Sequence, residues 1–202
     1  MKIIVISGTP GTGKTSVSEM IAQIYDARVV SLNEPKIFKK FKIKFDIKRE
    51  TDVIDTNKLL PHVLSLIQNY KSENPNYLII EGHFSDIIPE DYIDYVIILR
   101  CDPYVLKNRL AERGYEYGKI IENIQAEILG NCVNYFVQKN IKIPLFEIST
   151  DNLTIESVVD IIMKSIVKNQ NVDNYVIGKI DWLEKLFRED RLNDFFNEKI
   201  AL

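Results

Sequence analysis

Gly8, Gly13, Lys14 and Thr15 stand at the fixed positions of the pattern G-x-x-x-x-G-K-[ST] within "GTPGTGKTS" (8–16), and the chemistry of that pattern is the holding of a phosphate chain. Glycines let the backbone wrap closely, so the N–H groups of Gly11, Thr12, Gly13, Lys14 and Thr15 can point at one anionic spot. Lys14 can bridge β- and γ-phosphates as a point charge and Thr15 can ligate Mg²⁺ through its hydroxyl, while Ser16 lies one residue deeper, beside the α-phosphate. Outside its context the same stretch is only a glycine-rich turn.

The context decides for phosphate. "KIIVIS" (2–7) is an apolar, β-branched run suited to a buried parallel strand, and Val17, Met20 and Ile21 recur at helical spacing from Lys14 onward. Further strand-like runs are "RVVSL" (28–32), "YLIIEG" (77–82), "YVIILRC" (95–101) and "PLFEIST" (144–150). Helical periodicity marks 14–25, 57–70, 103–112, 118–138 and 154–168. Alternating strands and helices predict an α/β fold, a five-stranded, doubly wound parallel sheet with helices on both faces. Ligands of such sheets bind beyond the carboxyl ends of the strands, which gathers Gly8, Glu81 and Thr150 at one rim.

A chain of 202 residues, 46% hydrophobic and 27% charged, suits one globular domain with an appendage. The net charge of −3 argues against wholesale coating of nucleic acid, and no sequence-specific nucleic-acid binding is expected. Cys101 and Cys132, the only cysteines, read as buried free thiols, which suits a reducing cytoplasm. No signal-peptide pattern and no apolar stretch near the roughly 18 residues of a membrane span is present, so neither secretion nor a membrane role is expected. The polar stretch "KNQNVDN" (168–174) separates a core unit, 1–168, from a linker and an amphipathic C-terminal helix within 169–202. Ile180, Leu183, Leu186, Phe187, Leu192, Phe195 and Phe196 form the apolar stripe of that helix, which either docks on its own domain or meets a partner.

The absence of an N-K-x-D element argues against a GTPase, and the short chain against a large motor, leaving small kinases. These need a cationic lid over the migrating phosphoryl group. Arg109 and Arg113 are one turn apart on a helix stopping at Gly114, so both guanidinium groups can lean over the phosphates from a lid at about 109–119. The alternative is an exposed pair capping a helix C-terminus.

Four stretches, "GTPGTGKTS", "IIEGH", "ILRCDPYVLKNRLAERGY" and "IIENIQAEILG", together resemble the small adenylate-kinase-like family of archaea and eukaryotes, whose eukaryotic members are called adenylate kinase isoenzyme 6 or coilin-interacting nuclear ATPase. The resemblance runs from residue 1 to about 168. It implies a P-loop nucleoside monophosphate kinase with a short lid, Mg-ATP as donor, AMP or another nucleoside monophosphate as acceptor, and an accompanying ATPase activity. It further implies a role in small ribosomal subunit maturation and rRNA processing, with a small-subunit ribosomal protein and a pre-ribosomal particle as partners. Two departures matter: Glu81, Gly82, His83 replaces the Asp-x-His of eukaryotic relatives, and Ile37 stands where they carry an acceptor-side arginine.

Glu81, an acid ending an apolar strand, is assigned to hydrated Mg²⁺, with a structural pairing to Lys14 as the alternative. His83 is a candidate to orient water or serve as a general base, against a simple surface histidine. The basic segment "EPKIFKKFKIKFDIKRETDVID" (34–55), with Lys36, Lys39, Lys40, Lys42, Lys44, Lys48 and Arg49, lies where an acceptor-binding flap (about 33–56) belongs. Lys36, and less strongly Asp46 and Asp55, are its candidate acceptor-binding residues. "STDNLT" (149–154) is expected beside the donor purine, although a helix start at Asp151 or Thr154 explains the same residues. Two rival readings remain: an ATP-dependent assembly switch with incidental kinase activity, and a P-loop kinase for a small metabolite.

Overall fold

The five apolar runs become the strands of one parallel sheet in a computed structural model that describes residues 1–47 and 51–196. The first third of the chain runs β1 (Lys2–Ser7), α1 (Lys14–Ile24), β2 (Ala27–Ser31), α2 (Pro35–Phe41), β3 (Lys42–Asp46), β4 (Thr51–Ile54) and α3 (Thr56–Glu73). Then follow β5 (Tyr77–Glu81), β6 (Tyr95–Arg100), α4 (Pro103–Glu112), α5 (Tyr117–Ile128), α6 (Asn131–Gln138), β7 (Leu145–Ser149) and α7 (Ile155–Asp160). The C-terminal part holds α8 (Trp182–Arg188) and α9 (Asn193–Phe196). Strand order is β2-β5-β1-β6-β7, so the phosphate loop leaves the central strand and is flanked by the ends of β5 and β6.

Both faces of this sheet are covered, which explains the unbroken apolar runs Ile3–Ile6, Leu78–Ile80 and Val96–Leu99 in its central strands. On β1, Ile3 and Val5 pack with Leu59, Val63 and Ile67 of α3 and Phe136 of α6. Ile4 and Ile6 turn the other way, onto Val17 and Ile21 of α1 and Val158, Val159 and Ile162 on the far helix. Each fully buried aliphatic side chain stabilises the fold by about 2 kcal/mol, which holds the rim rigid.

Several elements differ from the sequence expectation. The helix expected over 118–138 breaks at Gly130, φ 63°, into α5 and α6. Beyond α7 the turn widens over Ile161–Ile166, with the Val167 N–H reaching back five residues to the Ile162 carbonyl. Within the expected basic flap, β3 (Lys42–Asp46) and β4 (Thr51–Ile54) pair antiparallel. Ile43, Phe45 and Ile47 are exposed there, while Lys48 and Arg49 lie outside the described residues. The C-terminal stripe is two short helices, interrupted at Asp190 with φ 54°, and not one. Trp182, Leu186 and Phe195 pack against Leu106, Leu110, Ile120 and Ile124, so this segment is docked on its own domain. Among the described residues no helix is long and apolar enough to cross a membrane.

Candidate functional site

Between β1 and α1 the loop follows a path that depends on Gly8, at φ 143°: a Cβ there would lie 2.4 Å from the Leu99 carbonyl oxygen. α1 begins without a side-chain cap and without an acid in its first turn, whereas Asp55, Asp102, Thr154 and Asp181 cap α3, α4, α7 and α8. Its first amides therefore take no side-chain cap, which leaves them available to an anion. Lys14 is buried and donates to the carbonyls of Gly8 (2.8 Å) and Thr9 (3.0 Å). Burial pulls its pKa down, while the charges of Glu81 and Glu127 act in the opposite sense.

Glu81 ends β5 with no exposed surface. Its carboxylate accepts from Thr15 Oγ1 (3.1 Å), from the Ser31 hydroxyl and from Asn33 Nδ2 (3.4 Å). These three donors offset the cost of burying the acid. Lys14 acts on Glu81 only through space, since its ammonium is given to the loop carbonyls.

Past Glu81 the chain turns at Gly82, where φ is 152° and a Cβ would meet Leu32 Cβ at 2.8 Å. The turn brings His83 back toward the end of β2, with Nδ1 2.9 Å from Asn33 Oδ1. An amide oxygen only accepts, so Nδ1 carries the proton and Nε2 keeps a free lone pair. Burial, followed by the charges of Lys14 and Lys119, pushes the His83 pKa down to about 4, so the ring is neutral near pH 7. Phe84 packs on it at 3.8 Å between ring centroids.

On the other side of the loop a cavity of about 350 Å³ is lined by Gly11, Thr12, Gly13 and Ser16, by Arg109 and Arg113, and by Leu153 and Ile155. The two arginines do not behave alike. Arg109 is tied to the end of β7, donating to Thr150 Oγ1 (3.1 Å) and to the Thr150 carbonyl (2.7 Å). Thr150 Oγ1 in turn donates toward the Thr12 carbonyl at 3.1 Å, linking that arginine to the phosphate loop. Arg113 ends α4, is exposed, and its charge is felt at Lys14.

Comparison with known proteins matches residues 4–130 to the family described as "AAA domain". A protein of Methanocaldococcus jannaschii named "Putative adenylate kinase" is 36% identical over 186 residues, covering 91% of this chain and 94% of that one. Its namesake in Methanococcus maripaludis is 33% identical, covering 92% and 97%. The chain belongs to this adenylate-kinase-like family of P-loop proteins. The structure of deoxyadenosine kinase from M. mycoides with bound dATP superposes with a TM-score of 0.51 at 19% identity, covering 83% of this chain and all of that one, a likeness of fold.

Asp55 is the N-cap of α3, accepting from the Lys58 backbone N–H and pairing with its ammonium at 3.1 Å, a helix-capping role that accounts for the residue without an acceptor. Lys36 is exposed in the first turn of α2, and Asp46 ends β3. Asp151 accepts from the Asp102 N–H (3.1 Å) and the Ser149 hydroxyl, and Thr154 caps α7, whereas Thr150 of the same loop faces the cavity.

Ser31, Asn33 and Glu127 were not singled out by sequence, and each orients a site residue. Glu127 accepts from Thr9 Oγ1 at 2.6 Å. An acid, amide or hydroxyl at the end of a strand or helix beside an apolar run was the available signal, and it is common to many caps and turns. Among the described residues no cluster of three or more His, Cys, Asp or Glu could hold a metal ion. The hard oxygen donors of Thr15 and Glu81, 3.1 Å apart beside the phosphate loop, fit a cation held mainly by substrate phosphates and water.

Proposed function

We propose that this chain is a nucleoside monophosphate kinase that transfers the γ-phosphoryl group of ATP to AMP, giving two ADP, and that it hydrolyses ATP when no acceptor is bound. The observation carrying this reading is the single rim on which the uncapped start of α1, Lys14, the two arginines of α4 and the Glu81–Asn33–His83 chain converge.

In this reading Gly11, Thr12, Gly13, Lys14, Thr15 and Ser16 hold the triphosphate. Leu153 and Ile155 offer the apolar end of the cavity to the donor base. Thr15 and, through water, Glu81 would hold Mg²⁺, which would supply charge neutralisation along the donor's phosphate chain. An acceptor phosphate oxygen attacks the γ-phosphorus as the bond to the bridging oxygen breaks. Lys14 leaves its two loop carbonyls for the phosphates, and Arg113 stabilises the charge moving between the two nucleotides. The acceptor is already anionic and needs no base. Without it, Nε2 of His83 accepts a hydrogen bond from water and orients it for attack.

The unit 1–168 is assigned this catalysis, with 33–56 as acceptor flap and Lys36 as its candidate phosphate contact. Action in the cytoplasm, in small ribosomal subunit maturation with a small-subunit ribosomal protein as partner, rests on the family resemblance alone. The assay is ATP turnover with AMP, CMP, UMP, dAMP and no acceptor. Strong dependence on AMP is expected, and turnover indifferent to every acceptor would replace the kinase by an ATP-driven switch.

A further inference from the structure

The phosphate loop is braced from beneath by a buried polar network that also receives the C-terminal segment. At its centre is Glu127, in the last turn of α5 and 1% exposed. Oε1 accepts from Arg100 Nε (2.7 Å), the Cys101 N–H (3.1 Å) and Trp182 Nε1 (3.2 Å). Oε2 accepts from Thr9 Oγ1 at 2.6 Å. Arg100 also pairs with Glu147, whose Oε2 accepts from the Gly178 N–H at 2.8 Å. Two carboxylates therefore share one guanidinium, and the excess negative charge is met by neutral donors.

Two of those donors are informative. Thr9 belongs to the loop, and its carbonyl accepts from both Lys14 Nζ (3.0 Å) and Thr12 Oγ1 (2.9 Å). Orienting the Thr9 side chain thereby orients the carbonyl on which the phosphate-binding lysine rests. Trp182 opens α8, the docked helix that buries Leu186 against Leu106 and Leu110. A buried charge whose donors come from separate elements couples those elements, because losing any one donor changes how firmly the others are held.

We propose that Glu127 is a positioning residue for the phosphate loop, acting through Thr9, and that the C-terminal segment strengthens nucleotide binding by fastening the same carboxylate through Trp182. The proposal rests on the phosphate loop being the ATP site. It extends the functional reach of the chain beyond residue 168, to a helix that touches no part of the cavity lined by Arg109 and Arg113.

The test removes single hydrogen bonds and keeps Glu127 itself, since deleting the carboxylate would leave Arg100 Nε, the Cys101 N–H, Trp182 Nε1 and Thr9 Oγ1 without their acceptor all at once. Mg-ATP binding to the full chain is measured by calorimetry for wild type, Thr9→Ser, Thr9→Val, Trp182→Phe and the Thr9→Val, Trp182→Phe double variant, each with a thermal melt. Thr9→Val, near in shape but without the hydroxyl, should bind about tenfold more weakly or worse, and Thr9→Ser should recover most of that loss. Trp182→Phe should cost about threefold alone and nothing further in the Thr9→Val background, the non-additivity that a shared carboxylate requires. Wild-type affinity in Thr9→Val, or independent losses that multiply in the double variant, overturns the proposal. Lower melting with unchanged affinity also overturns it, since Glu127 is then only a structural brace. Acceptor-independent turnover in a wild type that binds ATP would remove the kinase reading and leave this comparison intact; a wild type that binds no ATP removes both.

Discussion

Removing Arg109 and removing Arg113 should have different consequences, although the two side chains are one helical turn apart. Arg109 is half-buried and spends two donors on Thr150. Two charge-assisted bonds in a partly solvated place are worth about 1–2 kcal/mol together, after discounting for screening. In a chain of this length that loss lowers the melting temperature by about 3–6 °C. Arg109→Ala should therefore melt early and lose about tenfold in kcat/KM, because its guanidinium shapes the cavity from a fixed position. Arg113 is exposed at the end of α4 and its charge is felt at Lys14; in the proposed function it meets the phosphates. Arg113→Ala should melt with the wild type and lose about 10²–10³-fold in kcat, the usual loss on deleting a donor that acts on transition-state charge. The measurements are a thermal melt and a coupled ADP assay on the same preparations. An Arg113→Ala variant that changes only the Michaelis constant for ATP refutes the lid assignment. An Arg109→Ala variant with wild-type melting refutes the bracing role assigned to the Thr150 contacts.

Lys14→Ala should reduce transfer by about 10²-fold or more while the chain still folds, since the ammonium serves two loop carbonyls and no apolar core; near wild-type turnover in the coupled assay would sink the phosphate-loop assignment. His83→Ala should lower acceptor-free hydrolysis by about 10²-fold, at the low end for a positioned base because a ring with its pKa near 4 is a weak one, and should leave transfer to AMP within about a few-fold. Equal loss of both activities would make His83 structural or acceptor-binding. Asp55→Ala should lower the melting temperature by about 3 °C through loss of the α3 cap, with turnover unchanged; a turnover defect would return Asp55 to the acceptor site.

What sequence made legible follows from how local each signal is. The strands of the parallel sheet are buried on both faces and read as unbroken apolar runs, so β1, β5 and β6 stand where Ile3–Ile6, Leu78–Ile80 and Val96–Leu99 placed them. The phosphate loop is contiguous, and its glycines and lysine carry their own spacing. The pairing of β3 and β4 was obscured because its lysines alternate with Ile43 and Phe45 on a solvated surface, and a basic stretch with scattered apolar residues fits a flap, a helix or a strand pair equally. The break between α5 and α6 rests on one glycine, a residue that long helices also tolerate. Ser31, Asn33 and Glu127 were missed for a different reason. Their partners are 50, 48 and 118 residues away, and nothing local to a hydroxyl, an amide or a carboxylate names its partner.

The same distinction explains why the two histidine-side and arginine-side halves of the rim differ in kind. In the proposed function the donor side is the loop, the end of β7 and α4, anchored by buried strands and by the Thr150 and Glu127 contacts around an existing cavity. The acceptor side in that reading is α2 with β3 and β4, whose Lys36, Lys39, Lys40, Lys42 and Lys44 lie at the surface. A phosphate acceptor arriving there would order surface lysines such as Lys40, whose ammonium now lies over the Phe41 ring at 5.2 Å. Ordering flexible side chains costs binding free energy, whereas the donor loop has met that cost on folding. ATP should accordingly bind more tightly than AMP to the free chain, and bound ATP should tighten AMP by presenting a finished phosphate surface at the rim. Calorimetry with AMP in the presence and absence of a non-hydrolysable ATP analogue measures that coupling directly, and AMP affinity that ignores the analogue would show that the acceptor site is as preformed as the donor site.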